Sequence, residues 1–501
     1  MSTSDPHSDQ GRQQAPFGMW LEHQAGQRPD HPAIIFGDET LSYRQLAAAV
    51  AAAERWLAGN GVEPGDRVAW LGDNDPAMLQ LLLASTRLGA VFVPLNSRLT
   101  VAEHAYQLGH CEPRLAVTQP HYRAHLEQAA PGSTVIEVAP SFPALGHGSG
   151  HPSAGAWSPG PGGHDPALLV YTSGTTGKPK GAIHSHGGLN HTIDNGVVDQ
   201  ELRADDVGLA ILPLFHVGGL NIQVLPLLSV GATVVLHDRF DPGRVLADIE
   251  HHQVTISLFV PATIRAVLNH PAWPGAELGS LRGVMCGSSI IPHSLLAGFA
   301  EAGIKAGQVY GSTETGPTSL VLRLDEAHRT GSCGRPAHHA SVRLSPEGEV
   351  LISGPHLFTG YWYDEAATEA AFDGPWYRTG DVGHLDDDGY YWIDDRVDDL
   401  IVSGGENVYP AEVESVLESA PGVAEVSVLG RPDDHWGQVP IVVVVAEPGV
   451  IPDLATIRHH GQQELARYKL PHDLVVVETL PRTALGKVKK HELRALLTPE
   501  A

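Results

Sequence analysis

The segment Val170–Gly181, with the sequence VYTSGTTGKPKG, combines glycines, hydroxyl groups and lysines directly after an apolar run that predicts a buried strand. Gly174 and Gly177 allow backbone conformations in which several N–H groups converge on one anion. The other donors are on Ser173, Thr175, Thr176, Lys178 and Lys180. The segment is not a Walker A loop, because Pro179 follows Lys178 where that motif requires Ser or Thr. The sequence therefore predicts a polyphosphate-binding loop.

Four further motifs follow this loop along the chain. They are YGSTETG at Tyr310–Gly316, WYRTGD at Trp376–Asp381, DRVDDLIVSGGENVYPAEVE at Asp395–Glu414 and PRTALGK at Pro481–Lys487. Together with the loop, they make the sequence resemble the AMP-forming adenylating enzymes. That superfamily includes acyl- and aryl-CoA synthetases, such as 4-coumarate and feruloyl-CoA ligases, and also peptide-synthetase adenylation domains and beetle luciferase. The resemblance extends from about residue 17 to the C-terminus.

The resemblance implies that the enzyme uses ATP, Mg²⁺ and coenzyme A, and it assigns residues to the nucleotide. Thr313 would bond the α-phosphate, and Glu314 would hold Mg²⁺, which prefers one or two carboxylates together with phosphate oxygens. Tyr310 would stack on adenine. Asp381, expected in a loop after a strand, would bind the ribose hydroxyls with help from Arg396. The remaining nucleotide contacts would be Thr172, Gly287, Ser288, Ser289, Gly311 and Ser312.

The last motif implies a mobile C-terminal domain. Lys487 would reach the active site and stabilise the pentavalent phosphorus and the carboxylate, and Asp398 would be the hinge. Gly404 and Gly405 would line the tunnel for the pantetheine arm of coenzyme A. A rotating domain could present the lysine for adenylation and the tunnel for thioester formation.

The acid pocket is also assigned by resemblance. His216 would flank the reacting carboxylate, and the pocket walls would be Val217, Gly218, Asn221, Phe259, Met285, Val309, Pro317 and Thr318. This set has no Lys or Arg, so a second carboxylate on the substrate would be left unpaired at a considerable cost. The FHVGG segment has no Asp to pair with the ammonium group of an amino acid. We expect an aromatic acid whose phenolic hydroxyl could bond Asn221; a medium- or long-chain fatty acid remains the alternative.

Two other classes of function are weighed against a ligase. Nothing in the sequence specifies the oxygen chemistry of a luciferase, and a non-catalytic nucleotide-binding relative should have lost Lys487, Glu314 or Asp381, which are all present. The adjacent histidine pairs His251–His252, His338–His339 and His459–His460 would indicate a metal site only with a convergent third ligand. Without one, they are interpreted as solvated.

The composition limits the partners and the location. A net charge of −26 argues against nucleic acid and anionic membranes, and it leaves salt adaptation open. The three cysteines, Cys111, Cys286 and Cys333, are too few and too scattered for a disulfide framework or a zinc site. No secretory signal or membrane-spanning segment is recognised, so a cytoplasmic enzyme is expected, and a homodimer is compatible with the sequence.

Strands alternate with helices along most of the chain, which predicts an α/β fold with largely parallel sheets. Asp75–Pro76 and Gly89 carry the start and end signals of one helix, and another is expected around Ile457–Arg467. A Gly/Pro/Ser-rich linker or loop is expected at residues 146–163, and short strands from Gly348 to Asp395. We expect two domains. Residues 1–395 would bind ATP and the acid, and residues 396–501 would form a small α+β lid with the catalytic lysine.

Overall fold

The computed structural model describes residues 16–130, 135–137, 161–172, 178–287, 293–396, 401–408, 410–481, 488, 490, 493 and 494. Several predicted site residues lie outside this part of the chain, namely Ser173, Gly174, Thr175, Thr176, Gly177, Ser288, Ser289, Asp398 and Lys487. The chain divides into two compact units. The large unit comprises Met1–Ser97, Leu108–Val170 and Gly181–Asp394, and the small unit comprises Arg98–Gln107, Tyr171–Lys180 and Asp395–Ala501.

The described helices vary in length from one and a half turns to nearly five. They are α1 (Trp20–Gln27), α2 (Tyr43–Gly59), α3 (Pro76–Leu88), α4 (Val101–Cys111), α5 (Arg123–Ala129), α6 (His186–Asp199), α7 (Leu225–Val230), α8 (Pro242–His251), α9 (Pro261–Leu268), α10 (His293–Glu301), α11 (Glu365–Ala370), α12 (Pro410–Leu417) and α13 (Leu454–Gly461). In the part of the chain that the structure describes, no helix is both long enough and apolar enough to span a bilayer.

The described strands are mostly short. They are β1 (Pro32–Phe36), β2 (Glu39–Ser42), β3 (Arg67–Leu71), β4 (Val91–Leu95), β5 (Leu115–Thr118), β6 (Val135–Glu137), β7 (Pro166–Thr172), β8 (Lys180–Ser185), β9 (Val207–Ala210), β10 (Thr233–Leu236), β11 (Ile256–Phe259), β12 (Gly283–Cys286), β13 (Ala306–Tyr310), β14 (Leu320–Leu322), β15 (Arg335–Pro336), β16 (Ser341–Leu344), β17 (Glu349–Ser353), β18 (Gly360–Tyr361), β19 (Phe372–Asp373), β20 (Trp376–Leu385), β21 (Tyr391–Arg396), β22 (Ile401–Ser403), β23 (Glu406–Val408), β24 (Val423–Asp433), β25 (Gly437–Ala446) and β26 (Asp473–Val477).

Two largely parallel sheets carry most of the large unit. Sheet A has the strand order β15-β14-β13-β12-β11-β9-β10-β1-β2, and its inner strands from β1 to β13 pair in parallel. Sheet B has the order β18-β8-β7-β4-β3-β5-β6, with parallel pairs around β3. The central strands β4, β10 and β11 are buried along their length, as parallel strands covered by helices on both faces must be. The predicted α/β class is therefore confirmed.

The end signals of the helices are largely as the sequence predicts. Asp75 caps α3 by accepting a hydrogen bond from the backbone N–H of Ala77, Pro76 occupies its first turn, and Gly89 ends it in a left-handed conformation. The predicted helix around Ile457–Arg467 is wrong at its C-terminal end, because α13 stops at Gly461. Glycine is a poor helix former, and here it packs against the side chains of Leu417 and Leu470.

Two smaller sheets follow along the chain. Sheet C has the order β16-β17-β20-β19, with β21 beside β20, and it accounts for the short strands expected from Gly348 to Asp395. Sheet D has the order β23-β22-β25-β24, with β26 parallel to β25. In the small unit, α12 and α13 cover an apolar core on sheet D that includes Val428, Val442 and Val444.

A buried lysine holds two carboxylates together within the small unit. The Lys469 ammonium lies 2.6 Å from Glu103 Oε1 and 2.7 Å from Glu412 Oε1, and all three side chains are buried. Burial disfavours the charged ammonium, but the negative groups around it outweigh this effect and raise the pKa of Lys469. Burial raises the pKa of Glu412, which the charge of Lys469 opposes. Removing any one of the three groups would therefore leave a buried charge without compensation.

Replacing Lys469 with methionine should destabilise the protein strongly, because two buried carboxylates would lose their shared cation. We expect Lys469→Met to lower the free energy of unfolding by about 3–5 kcal/mol. The measurement is urea-induced unfolding of the full chain, followed by circular dichroism. The matched control is Arg431→Met, which removes a half-exposed ion pair with Asp473 and should cost less than about 1 kcal/mol. Equal losses in the two variants would contradict the buried triad.

Candidate active site

Three of the predicted nucleotide and acid residues lie at the carboxyl ends of neighbouring strands in sheet A. The carboxyl ends of the parallel strands β11, β12 and β13 meet at one edge of this sheet, which is where open α/β sheets bind ligands. Phe259 and Tyr310 end β11 and β13, and Gly287 follows β12. The backbone N–H of Gly287 donates to Phe259 O at 3.2 Å. A Cβ atom on Gly287 would lie 3.1 Å from Val309 O, so the backbones approach closely here.

A tight turn follows β13 and carries the YGSTETG motif. Thr313–Thr315 form a single 3₁₀ turn, which Gly316 closes at a φ of 82°. The Ser312 N–H donates to the Thr315 hydroxyl at 2.8 Å, which holds the turn from inside. A Cβ atom on Gly311 would lie 2.0 Å from Pro317 O, so no other residue fits at this position. The turn presents Thr313 and Glu314 in a fixed relation to the end of β13.

Two residues that the sequence assigns to the nucleotide contact each other directly. The Tyr310 hydroxyl donates to Asp381 Oδ2 at 2.7 Å. Enclosure of the phenol, followed by the negative charge of Asp381, raises the pKa of Tyr310 well above its usual value. The phenol therefore stays protonated and remains a hydrogen-bond donor to the carboxylate.

Asp381 lies in a bulged strand and not in the loop that the sequence predicts. Between the pairs Glu349–Val382 and Leu351–Arg378 of β17 and β20, one residue of β17 faces three of β20. Such a bulge redirects side chains because the ladder of hydrogen bonds is interrupted. The backbone N–H of Asp381 donates instead to the Thr379 hydroxyl at 3.0 Å.

Glu349 holds the same bulge from the neighbouring strand. Its carboxylate accepts hydrogen bonds from the Arg378 guanidinium at 2.6 Å and from the Gly380 N–H at 3.2 Å. The Thr379 hydroxyl donates to Val350 O at 2.7 Å. Arg378, Thr379 and Gly380 are thus all hydrogen-bonded to β17. These bonds fix the backbone just before Asp381 and so position the Asp381 carboxylate.

Glu314 is a buried carboxylate held by a tyrosine. The Tyr361 hydroxyl donates to Glu314 Oε1 at 3.0 Å, and the Phe358 N–H donates to the backbone carbonyl of Glu314 at 2.9 Å. Burial, followed by the charge of Glu314, raises the pKa of Tyr361, which keeps this donor protonated. A single oriented carboxylate of this kind suits a Mg²⁺ ion that completes its coordination with water and phosphate oxygens.

Gly218 and Asn221, which the sequence assigns to the acid pocket, lie in a π-helical turn. This turn spans Gly218–Val224 and continues into α7. Gln223 fixes the turn to β11, because its Oε1 accepts a hydrogen bond from the Leu258 N–H at 3.0 Å. π-Helical turns are rare and are found frequently at functional sites. His216 and Val217 precede the turn, and the Leu220 N–H donates to His216 O at 3.1 Å.

The side-chain polar atoms of two buried residues that the sequence assigns to the acid pocket have no hydrogen-bond partner within the described residues. Asn221 is buried, and neither the nitrogen nor the oxygen of its amide makes a hydrogen bond to the described protein atoms. The buried Thr318 hydroxyl also makes no hydrogen bond to the described protein atoms. Leaving a buried amide unsatisfied costs about 1–3 kcal/mol, so a ligand group is the expected partner.

The other proposed wall residues are apolar and buried. Met285, Val309 and Pro317 lie along the same edge of sheet A. Phe259 packs edge-to-face against Phe299 of α10 at a centroid distance of 5.5 Å, which ties its ring to the core. The Gly307 backbone is close to Met285, whose sulfur would lie 2.8 Å from an added Cβ atom. The residues of this group are therefore all apolar and uncharged, as the sequence predicts for the pocket walls.

The remaining sequence-predicted residues belong to the small unit. Thr172 ends β7 and Lys180 begins β8, while the Lys178 ammonium lies 6.0 Å from the centre of the Tyr106 ring. Arg396 ends β21. The pair Gly404 and Gly405 forms the two-residue turn between β22 and β23, with positive φ at both residues.

This glycine pair has a structural role besides the one that the sequence suggests. A two-residue hairpin with two positive φ angles requires residues such as glycine. A Cβ atom on Gly404 would also lie 2.7 Å from the Trp436 ring. The turn therefore explains both glycines by itself, and a role in lining the pantetheine tunnel stays a prediction.

Tyr361, Thr379 and Glu349 support the site and were not singled out from the sequence. Thr379 belongs to the WYRTGD motif, so its position next to Asp381 was a usable signal. Glu349 and Tyr361 are far from their partners along the chain and belong to ordinary strand segments. Their roles follow from strand pairing and could be recognised only in the fold.

Two protein-family models match the chain. Residues 21–362 match the model of AMP-binding enzymes, and residues 412–487 match that of the AMP-binding enzyme C-terminal domain. The indoleacetate–CoA ligase of Aromatoleum aromaticum is 42% identical over 498 residues, covering 95% of this chain and 97% of that protein. A feruloyl-CoA synthase from Amycolatopsis is 39% identical over 490 residues, covering 95% and 98%.

A solved structure with a similar fold comes from Bacillus subtilis. It is a double mutant of o-succinylbenzoate CoA synthetase (MenE), bound with its product analogue OSB-NCoA. The TM-score is 0.84 at 30% sequence identity, and the match covers 96% of this chain and 99% of that chain. The similarity therefore includes nearly the whole length of both proteins.

The close approach of Gly311 to Pro317 can be tested by adding one methyl group. Gly311→Ala should lower the free energy of unfolding by about 1–3 kcal/mol, because the new Cβ atom would overlap a carbonyl oxygen unless the turn moves. The measurement is urea unfolding. The matched control is Gly275→Ala, since a Cβ atom there meets nothing within 4 Å. A Gly311 variant as stable as this control would show that the turn is not constrained.

Proposed function

The chain belongs to the family of AMP-binding enzymes, and from this premise we propose that it activates an aromatic carboxylic acid whose ring carries a hydrogen-bonding group. It is an AMP-forming acid–CoA ligase, which uses ATP, Mg²⁺ and coenzyme A. The acid would first form an acyl-AMP and then a CoA thioester. The ring group would be a phenolic hydroxyl or an indole N–H.

Asn221 carries this proposal. A buried amide whose two polar atoms lack partners among the described residues can both accept and donate a hydrogen bond. A phenol can use either atom of the amide, and an indole N–H can use its oxygen. The names of the two relatives in the preceding section, an indoleacetate–CoA ligase and a feruloyl-CoA synthase, support an aromatic acid of this kind.

The apolar lining supports a ring beyond the carboxylate. Aromatic side chains and methionine favour aromatic substrates through offset or edge contacts and sulfur–ring contacts. Met285 is the wall residue best suited to such a contact. Gly218, at the start of the π-helical turn, has no side chain and would leave space for the ring.

A medium- or long-chain fatty acid is the second candidate, and the apolar character of the wall favours it. Val309, Met285 and Pro317 would bury an alkyl chain as readily as a ring. An alkyl chain would, however, leave the Asn221 amide unsatisfied in a dry pocket. The aromatic acid is therefore preferred.

At the nucleotide end, the contact between Tyr310 and Asp381 supports the assignment of adenine and ribose to these residues. A carboxylate can accept one hydrogen bond on each oxygen, which suits the two adjacent hydroxyls of a ribose. Glu314 would hold Mg²⁺, and the bound ion would neutralise phosphate charge. Thr313 would donate a hydrogen bond to the α-phosphate, and His216 would lie beside the acid carboxylate.

The charge at the reacting centre would come from the lid. We place Lys487 and the hinge Asp398 in residues 396–501, as the resemblance implies, although both lie outside the described part of the chain. Gly287 would brace the adenine, and the glycine-rich loop would contribute backbone donors to the phosphates. A cytoplasmic location and a homodimer are predictions of the same kind.

The substrate proposal is tested with Asn221→Leu, which keeps the side-chain size and removes both polar atoms. We expect kcat/KM for 4-hydroxycinnamate and indoleacetate to fall about 10- to 100-fold, while cinnamate and phenylacetate change little. The measurement is CoA-dependent thioester formation, with acid-dependent exchange of pyrophosphate into ATP reporting the first step.

The unsubstituted acids are the internal control for folding and adenylation. Straight-chain acids from C8 to C16 belong in the same panel. If a straight-chain acid is the best substrate and Asn221→Leu leaves the ratio of hydroxylated to plain acids unchanged, the fatty-acid alternative holds and the aromatic proposal is wrong.

The ribose assignment is tested with Asp381→Asn. The amide keeps the shape but loses the negative charge and one acceptor, and hydrogen bonds to charged groups contribute about 1.5–3 kcal/mol. We therefore expect the Kd for AMP, measured by calorimetry, to rise at least about 10-fold. Asp388→Asn is the control, because it changes an exposed carboxylate in the loop after β20. An unchanged AMP affinity in Asp381→Asn would contradict the assignment.

A further inference from the structure

Three potential metal ligands other than Glu314 lie together in the large unit. His191 and Asp194 are on α6, and His339 is in the segment between β15 and β16. One ligand atom from each residue lies within 4.8 Å of those from the other two. The spacing of three residues on α6 places His191 and Asp194 on the same face of the helix.

The segment that carries His339 is held against α6 by its backbone. The His339 N–H donates to Asn195 Oδ1 at 2.8 Å, and the His338 N–H donates to Asp199 Oδ2 at 2.7 Å. Both acceptors belong to α6, the helix that also supplies the other two ligands. The ligands are therefore positioned before any ion binds, which is what a functional site requires.

The distances suit a small divalent ion. Imidazole nitrogens and carboxylate oxygens bind Zn²⁺ at about 2.0–2.2 Å, so neighbouring ligand atoms in a tetrahedral site are about 3.3–3.6 Å apart. His339 Nε2 and Asp194 Oδ2 are 3.5 Å apart, which is long for a hydrogen bond but suits two ligands of one ion. The His191 and His339 rings meet edge to face with centroids 4.5 Å apart.

We propose that His191, Asp194 and His339 form a binding site for a divalent transition-metal ion of the Zn²⁺ or Co²⁺ type. Two imidazoles and one carboxylate match the preference of these ions. Mg²⁺ and Ca²⁺ prefer sites made of oxygen ligands. Three protein ligands leave a fourth position for water.

This site connects to the proposed acid pocket through one residue. The Asn195 side chain accepts from the His339 backbone and donates through Nδ2 to Thr318 O at 3.0 Å. A bound ion would cross-link α6 to the segment at His339, next to Asn195, which holds the backbone of Thr318. The ion would therefore stabilise the large unit and stiffen one wall of the pocket.

The structure identifies the further ligands that the sequence alone does not reveal for the His338–His339 pair. From the sequence, the pair is interpreted as solvated because no third ligand can be recognised. Of the two, His338 is exposed and His339 is partly buried beside His191 and Asp194. Only one member of the pair is therefore expected to bind an ion.

The test uses the full-length protein after treatment with a chelator that is then removed. Co²⁺ is titrated, and its visible absorption bands report coordination by protein ligands. We expect one equivalent of Co²⁺ to bind, Zn²⁺ to displace it, and Zn²⁺ to raise the unfolding temperature of the wild-type protein.

Two variants and a matched control assign the ligands. Asp194→Asn and His339→Gln should each raise the Kd for Co²⁺ at least about 10-fold. His338→Gln should leave it unchanged, because it removes the neighbouring exposed imidazole. Equal unfolding temperatures of the three variants in chelator show that the fold is retained.

The proposal would be overturned in either of two cases. One is a wild-type protein that shows no stoichiometric Co²⁺ spectrum and no Zn²⁺-dependent rise in unfolding temperature, which would leave Asp194 and His339 as an ion pair only. The other is a His338→Gln variant that loses as much affinity as His339→Gln. The Co²⁺ titration of the wild-type protein tests the proposal even if a variant fails to fold.

Discussion

The hydrogen bond from Tyr310 to Asp381 is the contact on which the arrangement of the candidate site depends. It joins the end of β13 in sheet A to the bulged strand β20 in sheet C. The backbone bridge between Gly334 and Tyr391 also joins these two sheets, and the Tyr310–Asp381 bond places the residue assigned to adenine directly against the residue assigned to ribose. Burial and the charge of Asp381 raise the pKa of Tyr310, so the phenol remains protonated and available as the donor at physiological pH.

Constraints on the backbone keep this contact in place. Glu349 fixes the residues before Asp381, and the carbonyl of Pro317 leaves no room for a side chain on Gly311. These constraints act on hydrogen-bonded backbone rather than on side-chain packing. A preorganised polar site of this kind avoids reorganisation at the moment of reaction, which is how enzymes stabilise developing charge.

Much of the fold and site can be predicted from the sequence, and the exceptions have physical reasons. Motifs such as YGSTETG are contiguous, so their residues can be recognised directly in the amino-acid sequence. The bulge at Asp381 depends on pairing with Glu349 of another strand, and the sequence around it suggests an ordinary loop. The ligand set at His339 is completed by a helix distant along the chain, so the sequence showed only a histidine pair.

The π-helical turn at Gly218–Val224 has a consequence for how the proposed acid pocket can change. A π turn contains one residue more than the α turn that it replaces. Deleting a single residue would convert it to regular helix and rotate the preceding side chains by about 100° relative to α7. Asn221 would then leave its present direction, and another side chain would take its place. Gain or loss of one codon would thus exchange the side chain at this position of the proposed pocket without any point substitution.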